Sequence, residues 1–337
     1  RRAARKAGRP HEFTGTRMPK DLFILDAHED IAFHLTYFGR DFVSPESPCM
    51  ITLPWLKEGQ VRLVFNTIFV HPKHKPEKTL ESALAQFDTY DRIYREHADE
   101  VFQIKTPGDL DGIEQSKRIG FLTLMEGADP VESPEKLGEF YDRGVRIIGL
   151  SWNDRNIYAS GNDTEEGLSE EGRKLIEEMN RLGITLDLSH VNEEGFQEAI
   201  GLTELIPIAS HSNARAVTDH PRNLRDEQIT AVAERGGVVG LVLYNQFLKT
   251  GEGTPTLEDV FAHADHMVRL VGEDHVGLGS DMDGARIVDF PEELRRISDL
   301  PKIAEDFLEK GYSEERVKKI MGGNFLRVMR ANLLSEI

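Results

Sequence analysis

The stretch LFILDAHED, Leu22 to Asp30, opens with a run of four apolar residues and ends in Asp26, His28 and Asp30. A buried strand would carry the apolar part into a core and leave the polar part at its C-terminal tip. His28 and Asp30 are two residues apart, so both point to one side of an extended chain. An imidazole nitrogen and a carboxylate oxygen on one side of a strand tip make half a site for a divalent metal. Taken alone, the segment reads equally well as a strand end with ordinary polar residues. Recurrence of the pattern decides between the two.

The pattern does recur. Past an irregular stretch with Pro45, Pro48 and Pro54, VRLVFNTIFV (Val61–Val70) is rich in β-branched and aromatic residues. The spacing of Leu80, Leu84, Phe87 and Ile93 predicts a helix over Thr79–Asp99. Further strands are expected at Arg118–Gly127, Val145–Trp152, Gly183–His190, Ile206–Ser212, Gly237–Leu243 and His275–Gly284. Helices are expected between them, at Ser169–Leu182, Asn192–Ile200, Asp226–Arg235 and Leu257–Val271. Ser133-Pro134 opens another, and Pro291–Lys310, Ser313–Ile320 and Asn324–Asn332 close the chain. Eight strand-then-helix units in succession, with no linker, predict an α/β fold closed into a parallel (β/α)8 TIM barrel. The rival, an open doubly wound sheet, would show a glycine-rich phosphate turn after its first strand. AHEDIAFH at that place has no glycine. The expected organisation is a basic, flexible extension over residues 1–20 and one catalytic barrel over 21–337.

In such a barrel the chemistry sits at the C-terminal ends of the strands. Those ends carry His28 and Asp30, then Glu126, His190, His211 and Asp281. Three histidines and three carboxylates on one rim suit two metals, with Glu126 able to bridge through its two oxygens. Neutral imidazoles and carboxylates favour zinc, with manganese or cobalt as alternatives. Asp281 is then left as the proton shuttle between an activated water and a leaving amine.

The formal net charge of the 337-residue chain is -18, which argues against nucleic acid and anionic membrane as partners. No apolar run approaches the roughly 20 residues of a membrane span. One cysteine, Cys49, leaves no intrachain disulfide and fits a reducing compartment. The basic segment RRAARKAGRPHEFTGTRMPK lacks the apolar core of a secretory signal. Its composition favours a flexible extension over a transit peptide or a nucleic-acid arm. SDMDG begins like a calcium loop, but Ala285 and Arg286 break the pattern. His71 and His74 read as solvated loop residues rather than rim residues. His263 and His266 read as packing or surface, and Asp163–Glu166 as a solvated loop.

The motifs DAHED, LPWLKEGQV, MEG, EEMNRLGITLDLSHV, SHSNARAV with HPRN, and GLGSDMDG stand in one order and spacing from about Leu22 to Val328. On these the chain resembles the membrane dipeptidase (renal dipeptidase) family of zinc peptidases, in its bacterial branch. The resemblance implies a TIM barrel of the metal-dependent hydrolase type with a binuclear zinc site. His28 and Asp30 would hold one ion, His190 and His211 the other, and Glu126 would bridge. Arg222, in HPRN, would grip the C-terminal carboxylate of a dipeptide, and Asp281 would be the catalytic acid. The implied activity is dipeptide hydrolysis by a metal-bridged hydroxide, often tolerating a C-terminal D-residue, in a homodimer. The chain departs from the family at Trp152, where a histidine that binds the substrate carbonyl is expected. Polarisation of that carbonyl then rests on the metals, on Asn153 or on the indole N–H. The absence of a signal peptide and anchor tail makes a cytoplasmic enzyme the expectation. Two alternatives stand beside the dipeptidase: a related barrel acting on another amide, such as an N-acyl amino acid, or on a lactone; and an inert metal-binding barrel.

Overall fold

A computed structural model describes residues 18–334. Residues 1–17, and with them most of the expected basic extension, lie outside the described residues. The strands are β1 (Ile24–Glu29), β2 (Val61–Phe69), β3 (Val101–Gln103), β4 (Ile119–Glu126), β5 (Val145–Gly149), β6 (Thr185–Asp187), β7 (Ile208–Ala209), β8 (Val238–Leu241) and β9 (Val276–Leu278). All pairings are parallel, in the order β1-β2-β4-β5-β6-β7-β8-β9. This is the expected eight-stranded parallel barrel. The short β3 was not foreseen; it pairs with the start of β4 from outside the ring.

The ring closes between its first and last strands. Glu29 bridges Met282, the Asp30 N–H donates to the Met282 carbonyl at 3.3 Å, and the Asp281 N–H donates to the His28 carbonyl at 3.2 Å. The closing bonds lie at the C-terminal tips, so closure itself sets His28, Asp30 and Asp281 beside one another.

Leu25, Leu63, Phe65, Leu122, Leu124, Ile147, Ile208 and Val238 form one apolar cluster contributed by six strands. Side chains from that many strands of one ring meet only in its interior. Phe325 of the helix Asn324–Asn332 joins the cluster and plugs it. Gly277 makes room, since a β-carbon there would lie 2.3 Å from the Phe325 ring. A larger cluster packs the helices on the outside of the sheet.

The helix Glu170–Leu182 shows why the helical stretches form. Ser169 accepts a bond from the Gly172 N–H at 2.9 Å, and Gly183 ends the helix at φ 73°. Leu175, Ile176, Met179 and Leu182 are buried at helical spacing. Two expectations need correction. The proline-rich stretch is not irregular throughout. Ile31–Phe38 is helical directly after β1, and Leu53–Glu58 is helical because Pro54 sits in its first turn, capped by Thr52. The helix expected at Pro291–Lys310 instead spans Pro301–Glu309. Pro301 has no N–H to continue a helix from before it and is suited to the first position.

Candidate active site

Glu126 is the last residue of β4, and His28 is the last but one of β1. Asp30, His190, His211 and Asp281 stand within three residues past their strands. The fold brings all six to one end of the ring. One Glu126 oxygen, Oε1, lies 2.9 Å from His190 Nε2 and 3.4 Å from the Nε2 atoms of both His28 and His211. His28 Nε2 lies 4.0 Å from Asp30 Oδ2. Two groups of three could each hold a metal ion: His28, Glu126 and His211; and His28, Asp30 and Asp281.

The second ring nitrogens explain the orientation. His190 Nδ1 is 2.7 Å from the Asn153 side-chain oxygen. His211 Nδ1 is 2.8 Å from Ser210 Oγ, which donates to Asp187 Oδ2 at 2.5 Å. Asn153 Oδ1 and the committed Ser210 oxygen can only accept, so both Nδ1 atoms carry the proton. The two Nε2 atoms then present lone pairs to each other at 2.9 Å, with a carboxylate oxygen alongside. Three electron-rich atoms at this separation repel unless a cation lies among them. His28 Nε2 is buried and has no hydrogen-bond partner. The donor set therefore fits a divalent metal, with outer partners that fix each imidazole.

The electrostatics agree. Burial works against a charged His28, yet Glu126, Asp30 and Asp281 push it up to about 10. A site that holds a proton so firmly is a site built for positive charge. Burial, with Arg222 nearby, drives His190 down to about 3, which leaves it neutral and able to ligate. Asp30 is raised to about 6, first by burial and then by Glu126, and it accepts a bond from the Thr67 hydroxyl.

Asp281 is pushed up to about 8, chiefly by burial. Its backbone is left-handed at φ 63°, as is that of His190 at 69°. Non-glycine residues take this conformation at a cost that surrounding structure must offset, and they gather at functional sites. Gly284 makes room for the acids, since a β-carbon there would lie 2.1 Å from Asp281 Oδ1 and 2.7 Å from Asp30 Oδ2.

A cavity of about 400 Å³ opens over these groups, a size that takes a small molecule. Trp152 and Asn153 line it, and Asn153 also orients His190. Arg222 lies outside the lining, buried behind Phe247 with its guanidinium carbon 5.4 Å from that ring's centroid. Its Nη2 donates to the His211 carbonyl at 3.1 Å, and its buried Nε–H has no partner. His71 also lines the cavity, against the expectation of a solvated loop residue. Its Nδ1 accepts the Lys73 N–H at 3.2 Å. His74 instead bonds Ser82 at 3.0 Å. His263 is a buried packing residue and Asp163, Glu165 and Glu166 are exposed. Sequence reasoning missed Phe33, Phe69, Tyr244 and Phe247 on the walls, and Asp187 and Ser210 behind His211. The LDLSH and IASHS motifs did place those last two beside the histidines.

The family model "Membrane dipeptidase (Peptidase family M19)" matches residues 15–336. The dipeptidase verJ of Clonostachys rogersoniana is 29% identical over 329 residues, 92% of this chain and 84% of its own length. The crystal structure of dipeptidase AC, an M19 metallopeptidase, superposes with a TM-score of 0.87 at 29% identity, covering 93% of this chain and 99% of that one. A metallopeptidase of Rhodobacter sphaeroides, solved with a phosphinate mimic of the dipeptide L-Ala-D-Ala, gives a TM-score of 0.87 at 28% identity, covering 92% and 99%. Similar proteins occur in bacteria and in fungi, so the matches do not single out the bacterial branch. With the six rim residues gathered on a matching barrel, the chain belongs to the membrane dipeptidase family, peptidase family M19, a family of metallodipeptidase hydrolases.

Proposed function

We propose that this protein hydrolyses dipeptides, including those with a C-terminal D-residue, at a centre for two divalent ions, zinc by the chemistry of its donors. His28 and Asp30 would hold one ion, His190 and His211 the other, and Glu126 both. Bound there, such ions supply a water of lowered pKa and polarise an amide carbonyl. The observation that carries the reading is the convergence of the His190 and His211 Nε2 lone pairs on Glu126 Oε1.

The remaining groups are assigned by their surroundings. Asp281, raised to about 8, takes up a proton near neutral pH and returns it to the leaving amine. The buried Nε–H of Arg222 has no protein partner, which supports Arg222 as the group that would receive a substrate carboxylate. Asn153 serves His190 as an orienting partner, and Trp152 shapes the cavity beside it. The Rhodobacter neighbour's mimic of L-Ala-D-Ala supports a D-residue on the C-terminal side. A homodimer and a cytoplasmic location belong to the same reading. The first rests on the family resemblance, and the single cysteine is in keeping with the second. Among the described residues no helix is long and apolar enough to cross a membrane.

The test is release of free amino acids from L-Ala-L-Ala and L-Ala-D-Ala by zinc-loaded protein. Turnover that a chelator abolishes and zinc restores is expected. Protein that retains zinc at the cluster yet cleaves neither dipeptide would overturn the reading.

A further inference from the structure

Four aromatic rings form a continuous wall on one side of the cavity. Phe33 follows β1, Phe69 ends β2, His71 lies just beyond it, and Trp152 follows β5. Their centroids lie 5.6 Å apart for Phe33–Phe69, 6.1 Å for Phe33–His71 and 5.4 Å for Phe69–Trp152. The loop bearing His71 is tied to the loop after β4 by an ion pair, Lys75 to Asp129 at 2.9 Å. No charged group of the wall faces the cavity. Burial, with Lys73, His74 and Lys75 nearby, holds His71 below its ordinary range, so its ring is neutral at pH 7.

Arg222 stands on the opposite arc. It follows β7 and lies behind Phe247, which follows β8. A substrate whose carboxylate is held there must run across the metal ligands toward β1, β2 and β5. Its amino-terminal side chain then meets the aromatic wall.

On the dipeptidase reading above, we infer that the wall formed by Phe33, Phe69, His71 and Trp152 selects dipeptides whose amino-terminal residue is aromatic or large and aliphatic. Such a side chain gains apolar contact and ring packing there. An acidic or basic one would give up its hydration with no partner of opposite charge on the wall.

The test compares kcat/KM of the zinc-loaded full chain over two series: L-Xaa-L-Ala and L-Ala-L-Xaa, with Phe, Leu, Ala, Asp and Lys as Xaa. In the first series Phe and Leu should exceed Asp and Lys by about tenfold or more, the scale expected for an apolar pocket. Trp152→His and Phe69→Ala should each bring the Phe-to-Ala ratio of that series down toward one. If one variant fails to fold, the other still reports. Equal kcat/KM across L-Xaa-L-Ala, or the same preference only in L-Ala-L-Xaa, would overturn the assignment of the wall while leaving the dipeptidase reading in place. Cleavage of no dipeptide in either series would remove both.

Discussion

Asp281 shows how a residue acquires its task from its neighbours. The left-handed backbone aims its carboxyl at Asp30 and His28, and burial keeps a proton within its reach near neutrality. Asp281→Asn should lower kcat by about 10²- to 10⁴-fold, the range for loss of a general acid–base. Zinc content should stay at the wild-type level. Turnover retained in that variant would remove the shuttle role. Arg222→Met should raise KM for dipeptides far more than it lowers kcat, because on the proposed reading the guanidinium would grip a group that does not react. An unchanged KM would take Arg222 out of the substrate site. The candidate metal donors were legible in the sequence because each is a histidine or an acid at the end of an apolar run. Asn153 was read as a substrate group, yet its oxygen faces His190. The LDLSH and IASHS motifs put Asp187 and Ser210 near the histidines, but the bonds that link Asp187, Ser210 and His211 were not legible. Such links depend on contacts between separate strands, which spacing along one segment cannot express.

At the scale of elements, hydrophobic periodicity located the barrel strands and most of the helices. It gave their ends less well, because β6, β7 and β9 pair over only two or three residues. The early helices Ile31–Phe38 and Leu53–Glu58 were not legible, because eight and six residues are too few to establish a helical period. The helix Leu257–Val271 does more than cover the sheet. Its buried His263 accepts the Ala214 N–H at 3.2 Å and donates to the Leu248 carbonyl at 3.1 Å, joining the loops after β7 and β8. Burial lowers this histidine from 6.5 to about 4. Between those two pH values the unfolded chain binds more protons than the folded one, so stability falls as pH falls. The loss on going from pH 7 to pH 4 should be on the order of 3 kcal/mol from this group. Urea unfolding at pH 7 and pH 5 should therefore show a smaller pH-dependent loss in His263→Gln than in the wild type. Equal losses in the two proteins would contradict this role.

For the whole molecule, ring closure and site assembly are one event. The bonds that join β1 to the residues after β9 also bring Asp281 to His28 and Asp30. The parallel eight-fold alternation made the architecture legible from the sequence. The shape of the cavity was not legible, since its walls come from the ends of the strands and the segments that follow β1, β2, β5, β8 and β9, whose lengths carry no periodic signal. On the proposed reading this closure builds a cradle for two cations. Anomalous diffraction at the zinc edge, on crystals grown from zinc-saturated protein, tests it directly. Two peaks are predicted, one against His28, Asp30 and Glu126, the other against Glu126, His190 and His211. A map with no peak at these side chains would contradict the account.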